Sequence, residues 1–239
     1  MKKNLLVIPV LFFLFAFSAP PKIAKLKFTK KYKTNVPEPS DIAYGKDNTI
    51  FIVSDQGVLY QVDEAGKIVK TASEQGLDYE GVWADENFVY VADERARRIK
   101  VFDYDLNLVR QNEVSYHGGM NLGYEGITYN EAKKCFLIAT EKTPMWFFEL
   151  NNDLVKINEK KMKIASDVSG LCFHDNFLYI VSDEDQTVMK LNPNDYSVIQ
   201  KWQIPVTNPE GIAFDKQGNL IIVSDFEQTI FQFSLPETN

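Results

Sequence analysis

The chain has 239 residues, with 26 Lys and Arg against 33 Asp and Glu, a formal net charge of −7. That balance excludes nucleic acid or an anionic lipid surface as the main partner expected from charge. Two cysteines are too few for a disulfide framework, and two histidines with no His-Glu-x-x-His or Cys-x-x-Cys leave little for zinc.

Taken in order, residues 1–18 read as a secretory signal. Lys2 and Lys3 precede an uncharged apolar run from Leu5 to Phe17, and Ala16 and Ser18 supply small residues for cleavage after Ser18. The run is short for a spanning helix, which wants roughly 20 apolar residues. No stable membrane span is therefore expected after cleavage. The mature chain, 19–239, is expected to be one exported domain and a monomer, in the periplasm, the cell envelope or the medium. Without Lys2 and Lys3 its basic count falls from 26 to 24 against 33 acids, a net charge of −9.

Residues 24–32 then alternate apolar and basic side chains, the pattern of a half-buried edge strand with lysines on its solvated face. Beyond it the sequence repeats itself. Asp78-Tyr79-Glu80-Gly81-Val82-Trp83 returns as Gly123-Tyr124-Glu125-Gly126-Ile127-Thr128 and as Asn208-Pro209-Glu210-Gly211-Ile212-Ala213. Looser copies are Pro39-Ser40-Asp41-Ile42-Ala43 and Val168-Ser169-Gly170-Leu171-Cys172. With Ser40, Glu80, Glu125, Ser169 and Glu210 as one position, the steps are 40, 45, 44 and 41 residues. A period in the forties containing short strands is that of a propeller blade.

Each repeat reads as four strands, a to d, parted by turn residues. The first predicts strands over 41–44, 49–54, 58–62 and 67–72; the second over 82–84, 88–92, 98–102 and 108–113. The third predicts 127–129, 135–140, 145–150 and 154–157; the fourth 171–173, 177–182, 188–191 and 197–204. The fifth offers 212–214, 220–224 and 229–234, and lacks a strand d. The alternating segment at 24–32 is the natural candidate to supply it, because an open ring would leave strand edges unpaired. The expected fold is all-β: a five-bladed propeller of four-stranded blades, closed by the N-terminal strand.

The ordered set of motifs, together with Pro209-Glu210-Gly211-Ile212-Ala213-Phe214-Asp215-Lys216-Gln217-Gly218-Asn219-Leu220, resembles the SdiA-regulated (YjiK-type) bacterial propeller family over the whole mature chain. The resemblance implies five blades, a bound calcium ion and distant kinship to NHL-repeat interaction proteins. Asp41 departs from the pattern, standing where the repeat carries glycine.

Strands a and b are antiparallel neighbours, so the start of a and the end of b share one face of the ring. Glu80, Glu125 and Glu210 precede strand a; Asp55, Asp93, Glu94, Glu141, Asp183, Glu184 and Asp225 end strand b. Two carboxylates about 6 Å apart repel by about 3 kcal/mol at an effective dielectric of about 20. Such a ring must stay wet, take up protons or hold a cation. The metal-ligand candidates are Glu80, Glu125, Glu141 and Glu210, then Glu94 and Asp183, hard oxygen donors from several blades that suit calcium. A solvated acidic rim, or carboxylates bonded to turn amides, is the structural alternative.

Other chemistry finds little support. There is no Gly-x-Ser-x-Gly elbow and no phosphate-cradling glycine loop. Cys135 and Cys172 read as buried thiols, with one inter-blade bridge left open. His174 reads as a surface residue on the face opposite the acids. Phe51, Tyr60, Tyr90, Phe102, Phe136, Phe147, Tyr179, Phe214 and Phe231 read as blade-to-blade packing. Two acid-face loops stand out: 115–122 with Tyr116, His117 and Met120, and 143–146 with Trp146. The preferred functional reading is a non-enzymatic calcium-binding module for a protein or cell-envelope ligand on the acidic face. The alternative is a metal-dependent hydrolase of the lactonase or phytase propeller type, so whether it is an enzyme stays open.

Overall fold

The computed structural model describes residues 23–116, 123–142 and 144–236. The expected signal segment, the 117–122 part of the long loop with His117 and Met120, and Thr143 lie outside them. The chain forms five sheets arranged as blades, antiparallel except where one short N-terminal strand joins blade 4. Blade 1 holds β3 (Pro39–Tyr44), β4 (Ile50–Ser54), β5 (Val58–Val62) and β6 (Ile68–Thr71). Blade 2 holds β7 (Tyr79–Ala84), β8 (Phe88–Asp93), β9 (Arg98–Asp103) and β10 (Leu108–Glu113). Blade 3 holds β11 (Tyr124–Asn130), β12 (Cys135–Thr140), β13 (Met145–Leu150) and β14 (Lys156–Met162). Blade 4 holds β15 (Gly170–His174), β16 (Phe177–Ser182), β17 (Thr187–Leu191) and β18 (Val198–Gln203). Blade 5 holds β19 (Pro209–Phe214), β20 (Leu220–Ser224) and β21 (Thr229–Phe233). Among the described residues the only helical element is a short 3-10 turn, Lys46–Asn48, and no helix is long and apolar enough to cross a membrane.

The N-terminal segment closes the ring, though not as one strand. The expected continuous strand over 24–32 is divided. β2 (Phe28–Lys33) pairs antiparallel with β21 and supplies the missing outer strand of blade 5. β1 (Ala24–Lys25) instead pairs parallel with β18 of blade 4. The break lies at Leu26, which bonds its N–H to the Gln203 carbonyl at 2.9 Å. Its side chain drops into the core between blades 4 and 5 with Trp202, Ile204, Phe231 and Phe233. Burying that leucine forces the chain to cross between blades, which a single straight strand could not do.

The inner strands are nearly continuous apolar runs because both faces of a blade are covered. Val89 and Val91 face blade 1 alongside Phe51 and Val53. Tyr90 and Ala92, one residue along, face blade 3 alongside Phe136 and Ile138. Successive side chains of a strand point to opposite faces, so one strand feeds two inter-blade cores. The outer strands have solvent on their far side and carry lysines, glutamates and exposed valines such as Val69 and Val109.

The outer strand of blade 3 starts two residues later than expected, at Lys156. Asn151 accepts the N–H groups of Asp153 and Val155 at 3.0 and 2.9 Å, which shapes a turn where a strand was expected. That turn holds Leu154 at φ 62°, with its side chain buried. Leu106 and Tyr196 repeat this left-handed, core-plugging position in blades 2 and 4. Cys135 and Cys172 are both free thiols, and burial pushes Cys135 up to about 11.

Candidate functional site: a carboxylate-lined channel mouth

The repeated Glu-Gly step is a β-bulge. In blade 2, Tyr79 pairs with Asp93 and Gly81 with Ala92, so Glu80 is an extra residue with no partner. The register skips in the same way at Glu125, at Glu210 and at Ser40. In blade 4 the Ser169 N–H bonds the Val181 carbonyl that already faces Gly170. A bulge re-aims a side chain at a strand end. Here it turns Ser40, Glu80, Glu125 and Glu210 into the mouth of the central channel, whereas the Ser169 hydroxyl donates to Asp167 at 3.1 Å.

The glycine that follows permits this geometry. A Cβ on Gly81 would lie 2.6 Å from the Cα of Gly126, and one on Gly211 would lie 2.6 Å from the Cα of Asp41. Neighbouring inner strands approach too closely there for a side chain. Asp41 is the exception, and it is fully buried. Its carboxylate accepts the N–H of Ile42 at 2.8 Å, of Val82 in blade 2 at 2.8 Å and of Ile212 in blade 5 at 3.3 Å. It thus ties blade 1 to both neighbours, while burial holds it well above the usual carboxylate range.

Above this ring lies a cavity of about 280 Å³ lined by Glu38, Ser40, Asp55, Glu80, Glu94, Arg95, Glu125, Glu141, Glu210 and Asp225. Five of the six predicted ligands are in it: Glu80, Glu94, Glu125, Glu141 and Glu210. Burial raises Glu80 and Glu125 well above their ordinary value, reinforced by their carboxylate neighbours. Burial, then the charges of Asp183, Asp225, Asp167 and Glu141, push Glu210 up to about 8. Asp55 is pushed up to about 7 by burial and by a hydrogen-bonded contact with Glu38. Burial also raises Glu94, against the N–H of Gly123, which it accepts at 2.8 Å. Side-chain contacts between Glu80 and Asp78, and between Glu94 and both Asp78 and Glu125, put carboxylates within hydrogen-bond reach of each other. Each such contact requires a proton or a cation between the two groups.

Other candidates fall elsewhere. Asp183 does not line the cavity; its N–H donates to Asp167 and its charge acts on Glu210 from outside. Asp93, counted in the acidic face, is turned away from the channel. Its carboxylate accepts the Leu77 and Ala96 N–H groups, and Lys100 lies 3.9 Å away. Glu184 is exposed and shares Lys142 with Glu141, at 3.3 and 2.8 Å. Trp146 packs against the core between blades 2 and 3 and donates its backbone N–H to Thr140. His174 is half-buried rather than free on the surface, because its ring stacks on Phe214 at 4.0 Å.

The residue that sequence reasoning passed over is Asp78. One oxygen from each of Asp78, Glu80 and Glu94 lies within 4.8 Å of the other two. That spacing suits oxygens coordinated to one cation at about 2.3–2.6 Å. The donors are all oxygen, which fits calcium or another hard cation. Asp78 also pairs with the Arg95 Nε at 2.7 Å. Its signal was available: it stands two residues before Glu80, as Asp167 does before Ser169 and Glu38 before Ser40.

Comparison with known proteins agrees with this architecture. The glutaminyl cyclase of Myxococcus xanthus matches with a TM-score of 0.70 at 13% identity, over 91% of this chain and 100% of that one. Virginiamycin B lyase from Staphylococcus aureus gives 0.54 at 13% identity, over 85% of this chain and 82% of that one. At such identities the likeness is one of fold. The family model described as SdiA-regulated matches residues 22–233, from the closing strand to the end of β21, and the chain belongs to the SdiA-regulated family.

Proposed function

We propose that this protein is an exported, calcium-holding propeller whose acidic face binds a protein or cell-envelope ligand, and that it is not an enzyme. The observation that carries the reading is the cluster of Asp78, Glu80 and Glu94, with oxygens within 4.8 Å of one another, beside a pit lined by eight carboxylates, Ser40 and the single cation Arg95. Glu125, Glu210 and Glu141 stand ready to complete the oxygen set. Arg95 supplies one positive charge, at Asp78; a bound calcium ion supplies the rest that the crowded carboxylates need, and so fixes the pit and the loops around it. Two large apolar side chains sit exposed beside this face: Leu77 in the loop before β7, 63% exposed, and Phe226 in the turn after β20, 74% exposed. Apolar residues on loops of a rigid scaffold suit a macromolecular partner.

The test is a melting curve in chelator and in about 5–10 mM calcium or magnesium. An extracellular-type site has an affinity on the order of 0.1–1 mM. Binding then stabilises by about 1–2.7 kcal/mol, a shift of about 2–10 °C for a chain of this size. Magnesium, which prefers a smaller octahedral cage, should do much less. Glu80→Gln and Glu125→Gln should each blunt the shift. Superimposable curves in chelator and calcium would refute the metal reading. Turnover of lactones, phosphomonoesters or phytate that disappears in Glu125→Gln would replace the binding reading with a hydrolytic one.

A further inference from the structure

A second cleft, of about 560 Å³, opens on the opposite face, where the turns between strands a and b gather. Its floor is aromatic. Trp83 on β7 and Tyr129 on β11 stack across the boundary of blades 2 and 3, with centroids 5.6 Å apart and planes 26° apart. Tyr90 and Phe136 meet beneath them at 4.7 Å, and Phe136 turns its edge to Trp83 at 5.5 Å. The rim carries Asp85, Glu86 and Glu131 against Lys46. We propose that this cleft is a binding site for a quaternary or alkylated ammonium group, seated against the Trp83 and Tyr129 rings beneath Glu86 and Glu131.

Three observations carry the assignment. The repeat itself does not need an indole here. At the position of Trp83, two residues after the glycine of the repeat, the other blades carry Ala43, Thr128, Cys172 and Ala213. Small residues close those inter-blade seams, so the large ring is an addition to the fold. Trp83 and Tyr129 also remain part-exposed although they border a core, which leaves ring surface available in the cleft.

The second observation is charge. Three rim carboxylates face Lys46 and the Arg110 guanidinium, which reaches the Asn152 carbonyl at 3.4 Å, and leave a net charge of −1 around an aromatic floor. The face of an aromatic ring carries negative potential and attracts cations, tryptophan most strongly. An alkylated ammonium presents apolar methyl groups and a diffuse positive charge, and so satisfies both the rings and the rim. The cleft volume lies within the usual range of small-ligand sites, about 300–1,000 Å³.

The third is preorganisation. The Tyr104 hydroxyl donates to the Asp85 carbonyl at 2.5 Å and accepts the Lys46 N–H at 2.6 Å, stapling the turns of blades 1 and 2 together. Asp85 accepts the Asn87 and Phe88 N–H groups at 2.7 Å each, and the Tyr90 hydroxyl at 3.1 Å. The Tyr90 ring is thereby held in place. Gly45 leaves room for the staple, since a Cβ there would lie 2.3 Å from the Tyr104 hydroxyl oxygen.

The test is calorimetric titration of the full exported chain with choline and tetramethylammonium, in chelator, so that it is independent of the calcium reading. The neutral isostere 3,3-dimethylbutan-1-ol and a neutral disaccharide are the comparison probes. Both cations should bind at about millimolar affinity, and the isostere about tenfold more weakly. Trp83→Leu should weaken choline about tenfold, and Glu131→Gln several-fold at an unchanged melting temperature, because Glu131 is exposed. Equal affinity for choline and its isostere would overturn the proposal. So would binding of the disaccharide without the cations, or no saturable heat with either cation at about 20 mM.

Discussion

Ring closure offers the sharpest quantitative test of the fold. Leu26 is only 6% exposed, and it packs with Trp202, Ile204, Phe231 and Phe233 at the join of blades 4 and 5. Replacing a core leucine by alanine costs about 2–5 kcal/mol. A site near the rim of the ring can partly collapse, which favours the lower end, about 2–3 kcal/mol. For a chain of this size that is a fall of about 5–10 °C in melting temperature. Phe28 is 39% exposed and meets Phe231 edge-on at 5.4 Å, so Phe28→Ala should cost only about 1 kcal/mol. Deleting residues 20–34 removes Leu26 and the whole β2–β21 ladder, with its five paired positions. At about 0.5–1.5 kcal/mol per hydrogen bond, plus the leucine, the loss is about 5–10 kcal/mol. That equals much of the total stability of a domain, about 5–15 kcal/mol. Circular dichroism melts of the three variants beside the intact chain provide the measurement. A truncated protein melting within about 2 °C of the intact one would refute the closure argument.

The remaining predictions concern the channel. Glu210 lies at about 8 in the folded chain against an ordinary 4.5, so the folded state holds its proton more tightly. Its stabilising contribution is complete below about pH 4.5 and is lost as pH rises through about 8. In chelator the melting temperature should therefore fall from about pH 5 to about pH 8.5, and Glu210→Gln should flatten that slope; a rise over the same window would contradict it. Gly81→Ala must push a Cβ against the Gly126 backbone 2.6 Å away, and should cost about 3 kcal/mol or more in chemical denaturation. Asp41→Asn turns an amide donor toward at least one of the N–H groups of Ile42, Val82 and Ile212. It should destabilise by about 1–3 kcal/mol, and an unchanged denaturation midpoint would show that the three bonds do not hold the blades together.

What the sequence made legible follows from periodicity. A step of 40 to 45 residues between copies of one motif fixes the number of blades, and the missing last strand points to the N-terminus. Five of the six ligand candidates reach the cavity because strand pairing alone sets which ends share a face. The failures are local. Alternation cannot reveal that Leu26 crosses between blades, since an inward leucine looks the same in either. Asp93 and Glu94 are adjacent at a strand end, and only the turn amides of Leu77 and Ala96 decide which of them enters the channel. Asp78 lies two residues before Glu80 and so on the same side, but both precede the strand expected over 82–84, and the expected strand end reached back only to Glu80.

The pairing of β2 with β21 also governs how the molecule reaches its final form. Phe28 meets Phe233 across a separation of more than two hundred residues. β2, made early in synthesis, must therefore wait for β21. Closing a loop of that length costs about 4–5 kcal/mol of chain entropy before any contact rewards it. Blades 1 to 4 form from neighbours in the chain and can assemble as an open arc, each on the one before. The seam then closes late, as a slow step of high contact order. Until it does, β21 presents a bare, unpaired edge to any strand in its surroundings. Substitutions within the seam should accordingly accelerate unfolding while leaving the folding limb of a chevron almost untouched.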